Sequence, residues 1–112
     1  MVQSPTQLDA AFAALSDPTR RGILELLGQR DATISELAAA FGMTLTGVGK
    51  HVGILEQAGL VTTEKVGRAR RCKLGPRRLD DETTWIAGYR QLLESRLDRL
   101  GEFLEKQKGS QS

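Results

Sequence analysis

The chain has a single cysteine, Cys72, and a single histidine, His51, among its 112 residues. One thiol rules out an internal disulfide and suits a reducing compartment. One thiol and one imidazole cannot supply four soft ligands within a protomer, so no metal site is expected. Catalytic machinery is also missing. No acyl-transfer constellation surrounds the histidine, and there is no phosphate-binding glycine loop, so neither a catalytic residue nor a cofactor is expected. No apolar run approaches the roughly 18–20 residues of a bilayer span, and the polar N-terminus lacks a signal-peptide pattern. These absences lead us to expect a cytoplasmic protein without membrane association.

Acidic residues are missing from one window. Lys65, Arg68, Arg70, Arg71, Lys73, Arg77 and Arg78 fall within 14 positions that contain no Asp or Glu. The remainder carries nine basic against 14 acidic residues, so the net charge of +2 conceals a segregation. A localised basic field on an otherwise acidic chain attracts a polyanion. Composition alone leaves nucleic acid and an anionic membrane both open.

The length fits one domain, residues 1–112, with a modest core. Residues 1–6 read as a disordered leader and 108–112 as a frayed polar tail. Leu8, Phe12 and Leu15 mark a short first helix ended by Ser16 to Pro18. Asp17-Pro18 then caps a second helix through Ile23, Leu24 and Leu27, with Gly28 as candidate terminator. "TISE" at 33–36 fits a capping box that opens a helix through Leu37, Ala38 and Phe41, closed by Gly42. Thr44 caps the next helix, which ends at Gly59, and the two short helices form a helix-turn-helix. "LVTTEKV" and "RARRCKL" read as strands around a Gly67-Arg68 turn. The predicted fold is mainly α with a small β-hairpin: a winged helix-turn-helix of about five helices. The basic window coincides with the hairpin, the wing.

A last helix over 79–107 carries Ile86, Tyr89, Leu93, Leu97, Leu100 and Leu104 at the α period, widened by Trp85, Leu92 and Phe103. So much apolar face on one helix points to a homodimer. Trp85, Ile86, Tyr89, Leu93, Leu97, Leu100 and Leu104 are the expected interface, joined by Leu8 and Phe12 of the first helix.

The helix "LTGVGKHVGILEQ" poses a difficulty. Leu45, Val48, Val52 and Leu55 define a buried face, yet Gly47, Gly49 and Gly53 interrupt it. Each glycine costs roughly 1 kcal/mol relative to Ala. At 100° per residue Lys50 points almost opposite the apolar face, flanked by Thr46, Gly47, Gly53 and Gln57. The glycines therefore spare the core and leave a thin outer surface over which a backbone can approach a partner closely.

"FAALSDPTRRGILELL", "TISELAAAFGMTLTGVGKHVGILEQAGLVTTEKVGRARRCKLGP" and "WIAGYRQLLESRLDRLGEFL" together resemble the ArsR-type (ArsR/SmtB) winged-helix transcriptional regulators over nearly the whole chain. The resemblance implies a homodimer that binds a palindromic operator in double-stranded DNA, usually as a repressor. It further implies that residues 44–57 form the recognition helix and 65–73 the wing. Metal-sensing members carry cysteines in the helix corresponding to Ser35–Phe41, where this chain reads "ELAAAF" up to Phe41, and others use histidines on the last helix, which here has none. The chain thus resembles the metal-independent branch. Relatives usually carry a polar or basic residue where Gly49 stands.

The expected DNA-binding residues are Thr44, Thr46, Gly47, Lys50, His51 and Gln57 on the recognition helix and Lys65, Arg68, Arg70 and Arg71 on the wing. His51 suits either a phosphate contact or a structural hydrogen bond. Arg20 and Arg21 suit either a phosphate or a local partner. Cys72 reads as an inert strand residue. Two rivals to a repressor remain: a winged-helix protein-interaction module, motivated by the bare glycines, and a regulator responding to a ligand or redox signal.

Overall fold

In the computed structural model, which describes residues 5–110, the chain order is α1 (Pro5–Leu15), α2 (Pro18–Gln29), β1 (Ala32–Thr33), α3 (Ile34–Phe41), α4 (Leu45–Gln57), β2 (Val61–Val66), β3 (Ala69–Leu74) and α5 (Asp80–Ser110). It divides after Leu79 into two units: α1 to β3 form the first, and α5 the second. The expected leader is shorter, because α1 begins at Pro5, and the expected frayed tail is helical to Ser110. Residues 1–4 and 111–112 lie outside the described residues.

The capping chemistry places the helices of the first unit. Asp17 has extended backbone, and its carboxylate accepts from the Arg20 N–H at 3.0 Å, with Pro18 at the first helical position. In the capping box, the Glu36 N–H donates to Thr33 Oγ1 at 3.1 Å and the Thr33 N–H to Glu36 Oε1 at 2.9 Å. Gly42 takes φ 61°, and the Met43 N–H reaches back to the Ala38 carbonyl at 3.0 Å. A side chain is strained at that φ, so glycine closes α3 there. Thr44 Oγ1 accepts from the Gly47 N–H at 3.0 Å and opens α4.

Gly28 does not end α2. The helix runs on to Gln29, and Arg30 leaves it with extended backbone. That exit feeds β1, where Ala32 pairs with Cys72 and Thr33 with Arg71. The sequence reading missed this strand, since two residues carry no legible alternation. The sheet order is β1-β3-β2, antiparallel throughout. Gly75 follows β3 and brings its backbone against the α4–β2 turn. Its N–H donates to the Leu60 carbonyl at 2.9 Å, and a Cβ there would collide with the Gly59 carbonyl oxygen. The last helix starts at Asp80 rather than Leu79, because Leu79 takes the left-handed φ of 59°.

The core draws on every element of the first unit: Ala14, Ile23, Leu27, Ala32, Leu37, Val48, Val52, Leu55, Val61 and Cys72 are all buried. From α4 it takes Val48, Val52 and Leu55. Leu45, expected on the buried face, is 57% exposed, because at the first position of α4 it lies beyond the packed stripe. Burying an aliphatic side chain stabilises by about 1.5–3 kcal/mol, so the three inner residues outweigh three glycines at about 1 kcal/mol each. This is how the helix tolerates its composition.

An added Cβ meets nothing within 4 Å at Gly49 or Gly53, whereas at Gly47 it meets Thr44 Oγ1 at 3.1 Å and Met43 Cε at 3.3 Å. Gly49→Ala and Gly53→Ala should therefore each stabilise the protein by about 0.5–1 kcal/mol in thermal unfolding. Gly47→Ala should gain less. Destabilisation by the first two would contradict the outward placement.

Candidate nucleic-acid interface

Outside the buried stripe, α4 presents Thr46, Gly49, Lys50 and Gln57 to solvent. Thr44 is also exposed, with its hydroxyl committed to the cap. Gly47, expected on the outer face, is half-buried on a flank against Met43. Two large aliphatics that sequence reasoning did not place outward, Leu45 and Ile54, are exposed on the same helix, at 57% and 40%. Helical spacing alone could not separate them from the core stripe.

The ribbon leaves the core after Thr63 and Cys72, which lie opposite each other, and residues 64–71 are exposed. Register decides which way its charges point, because directly paired residues share a face and successive residues alternate. Cys72 is buried, so Thr63, Lys65 and Arg70 share its face, while Glu64 and Arg71 share the other. The first face adjoins α4. Thr63 Oγ1 donates to Glu56 Oε2 at 2.7 Å and accepts from Arg70 Nε at 3.1 Å. Glu56 was not among the expected site residues, although it anchors this chain of bonds. Lys65 stands directly opposite Arg70, a like-charge pair that disfavours the ribbon in isolation and favours an anion between its members. Arg68 occupies the turn at the tip, after Gly67 at φ 62°.

His51 is half-buried, and its Nδ1 lies 3.3 Å from Arg20 Nη1 and 3.9 Å from Asp17 Oδ2. Arg20 is otherwise committed to the end of α1, donating through Nε to the Ala14 carbonyl at 2.9 Å and through Nη2 to the Ala13 carbonyl at 3.0 Å. Arg21 Nη1 donates to the Leu15 carbonyl at 2.8 Å. Both arginines thus satisfy carbonyls that a helix end leaves open. The hydrogen bond from the Arg20 N–H, reinforced by the Arg20 charge, holds the Asp17 carboxyl below the usual carboxylate range. Cys72 behaves oppositely. Burial, then the Glu56 charge, pushes its thiol upward, away from the thiolate that a reactive cysteine needs.

The Helix-turn-helix domain family matches residues 15–64, the span from the end of α1 to Glu64 within β2. The Transcriptional repressor SdpR of Bacillus subtilis (strain 168) is 32% identical over 82 residues, which cover 73% of this chain and 91% of the repressor. A crystal structure of an ArsR family transcriptional regulator is 42% identical, covers 85% of this chain and 98% of its own, and superposes with a TM-score of 0.75. The chain belongs to the ArsR family of winged helix-turn-helix transcriptional regulators. An ArsR-like transcriptional regulator from Rhodococcus sp. RHA1 is 32% identical, covers 90% of this chain and 93% of its own, and also reaches a TM-score of 0.75. In this ArsR-family chain α3 and α4 are the helix-turn-helix and β2–β3 the wing. No helix among the described residues is long and apolar enough to cross a membrane.

Asp17 makes one local prediction. A carboxyl with a lowered folded value adds stability that is fully present above its unfolded value, about pH 4, and lost as pH falls through the folded value. Asn also caps helices, so Asp17→Asn keeps the cap and removes the charge. The difference in melting temperature between wild type and Asp17→Asn should be positive above about pH 5 and shrink below about pH 4. A difference that grows as pH falls would refute the assignment.

Proposed function

We propose that the protein is a homodimeric, metal-independent repressor that binds a palindromic operator, with α4 as the recognition helix in the major groove and β2–β3 along the adjoining backbone. The observation that carries this reading is the pairing of two features. One is a helix whose buried stripe turns Thr46, Lys50 and Gln57 to solvent. The other is a basic ribbon bonded to that helix through Glu56, Thr63 and Arg70. Lys50 contacts phosphate or guanine, Thr46 and Gln57 reach base edges, and Lys65, Arg68 and Arg70 neutralise phosphates. Arg71, on the ribbon's other face opposite Glu64, contributes less. Thr44 and Gly47 act through the cap that holds the start of the helix.

A titration of the protein against its own upstream DNA and a random duplex tests this directly. Affinity should fall steeply with salt, and preference for the upstream site should reach about 10³-fold. Equal affinity for both duplexes would remove the repressor reading and favour the protein-interaction module. Arg70→Ala should weaken binding to both and reduce the salt slope by about 0.9, whereas Thr46→Ala should alter sequence preference. An unchanged slope would exclude Arg70 from the interface.

The dimer rests on α5. Trp85, Ile86, Tyr89, Leu92, Leu93, Leu97, Leu100, Phe103 and Leu104 are all exposed, between 46% and 69%. Trp85 and Tyr89 stack with centroids 5.7 Å apart, and beside them a notch of about 280 Å³, lined also by Gly88 and Leu92, suits a side chain of the second copy. From the first unit, Leu8 and Phe12, half-buried on α1, are proposed to take part in the dimer contact. Leu97→Glu should convert the dimer to monomers in sedimentation velocity without lowering helix content, because Leu97 is 66% exposed in the single chain. A dimer that survives the charge would refute the α5 interface.

A further inference from the structure

Resting on the DNA-binding reading above, we infer that Arg20 is a positioning residue that orients His51 as an uncharged phosphate clamp on the recognition helix. A guanidinium only donates, so Arg20 Nη1, at 3.3 Å, requires Nδ1 of His51 to accept. A proton on Nδ1 would face that N–H, and the only carboxylate oxygen near it among the described residues, Asp17 Oδ2, is at 3.9 Å, beyond hydrogen-bond reach. The ring proton therefore sits on Nε2. Nε2 has no hydrogen-bond partner among the described residues and is not sealed from solvent.

The ring is gripped from behind. Arg20 is fixed by two carbonyls at the end of α1 and by its own N–H at the cap of α2, so its third bond has little freedom. His51 follows Lys50 on α4, which places its free N–H at the border of the outer face. A fixed neutral donor there suits a phosphate oxygen of the duplex: it binds irrespective of sequence and releases no counterion. Arg20 reaches the DNA only through this ring.

Asn and Gln separate the two nitrogens. In His51→Asn the amide oxygen takes the place of Nδ1 and nothing replaces Nε2. In His51→Gln the amide nitrogen takes the place of Nε2. His51→Asn should weaken binding to the upstream and random duplexes alike, by about tenfold, and leave the salt slope unchanged. His51→Gln should recover most of that loss. Arg20→Lys keeps the charge and loses the fork. It should weaken the wild type several-fold but leave His51→Asn unaffected, the signature of coupled residues in a double-mutant cycle.

Wild-type affinity in His51→Asn would overturn the inference. So would a salt slope lower by about 0.9, which marks a cationic contact, or an Arg20→Lys effect that persists in His51→Asn. Circular dichroism checks that each variant is folded. Should Arg20→Lys not fold, the Asn–Gln pair decides, and no recovery with Gln counts against the inference. A wild type that binds neither duplex would instead sink the DNA-binding reading itself.

Discussion

The burial of three side chains, Val48, Val52 and Leu55, governs most of what this chain can do. They lock α4 against Ile23 and Leu37 and so set its rotation about its own axis. Once that angle is set, Lys50 must face solvent, with Thr46 and Gln57 beside it on the same outer face. A helix this rich in glycine would hold no fixed orientation by propensity alone. The core supplies it, and the glycines only determine how bare the outer surface is.

Polar links extend the same control outward. The bonds from Glu56 through Thr63 to Arg70 tie the base of the ribbon to α4, so wing and helix are presented together. On the other flank, Arg20 joins the end of α1, the start of α2 and His51 of α4 in one cluster. Arg20 uses several donors at once, which suits its rigid fork better than a lysine's point charge. The basic window is thereby sorted. Lys65 and Arg70 share the face bonded to α4, Arg68 lies at the tip, and Arg71 is turned to the side of Glu64.

Local signals were the most legible in the sequence. Thr33 with Glu36, Asp17 with Pro18, and Gly42 each mark a helix end through one or two bonds within a few residues, and each occurs where expected. The misreadings share a different origin. Gly28 does not stop α2, because the helix exits through Arg30 into a strand whose partner lies 40 residues on. Leu45 matches the apolar period but lies beyond the packed stripe. The place of Gly75 is likewise dictated at a distance, by the Gly59 carbonyl pressed against it.

The sequence by itself determined the caps that open α2, α3 and α4 and the glycine that closes α3, that a basic hairpin follows a helix-turn-helix, and that no soft-ligand cluster can form within one chain. These follow from short-range capping, periodicity and composition. Only the tertiary structure decided which arginines are occupied by helix ends, which face of the ribbon each charge takes, and which nitrogen of His51 is free. Those outcomes depend on a strand register and on contacts between residues up to 31 positions apart in the chain, and local pattern carries no record of either.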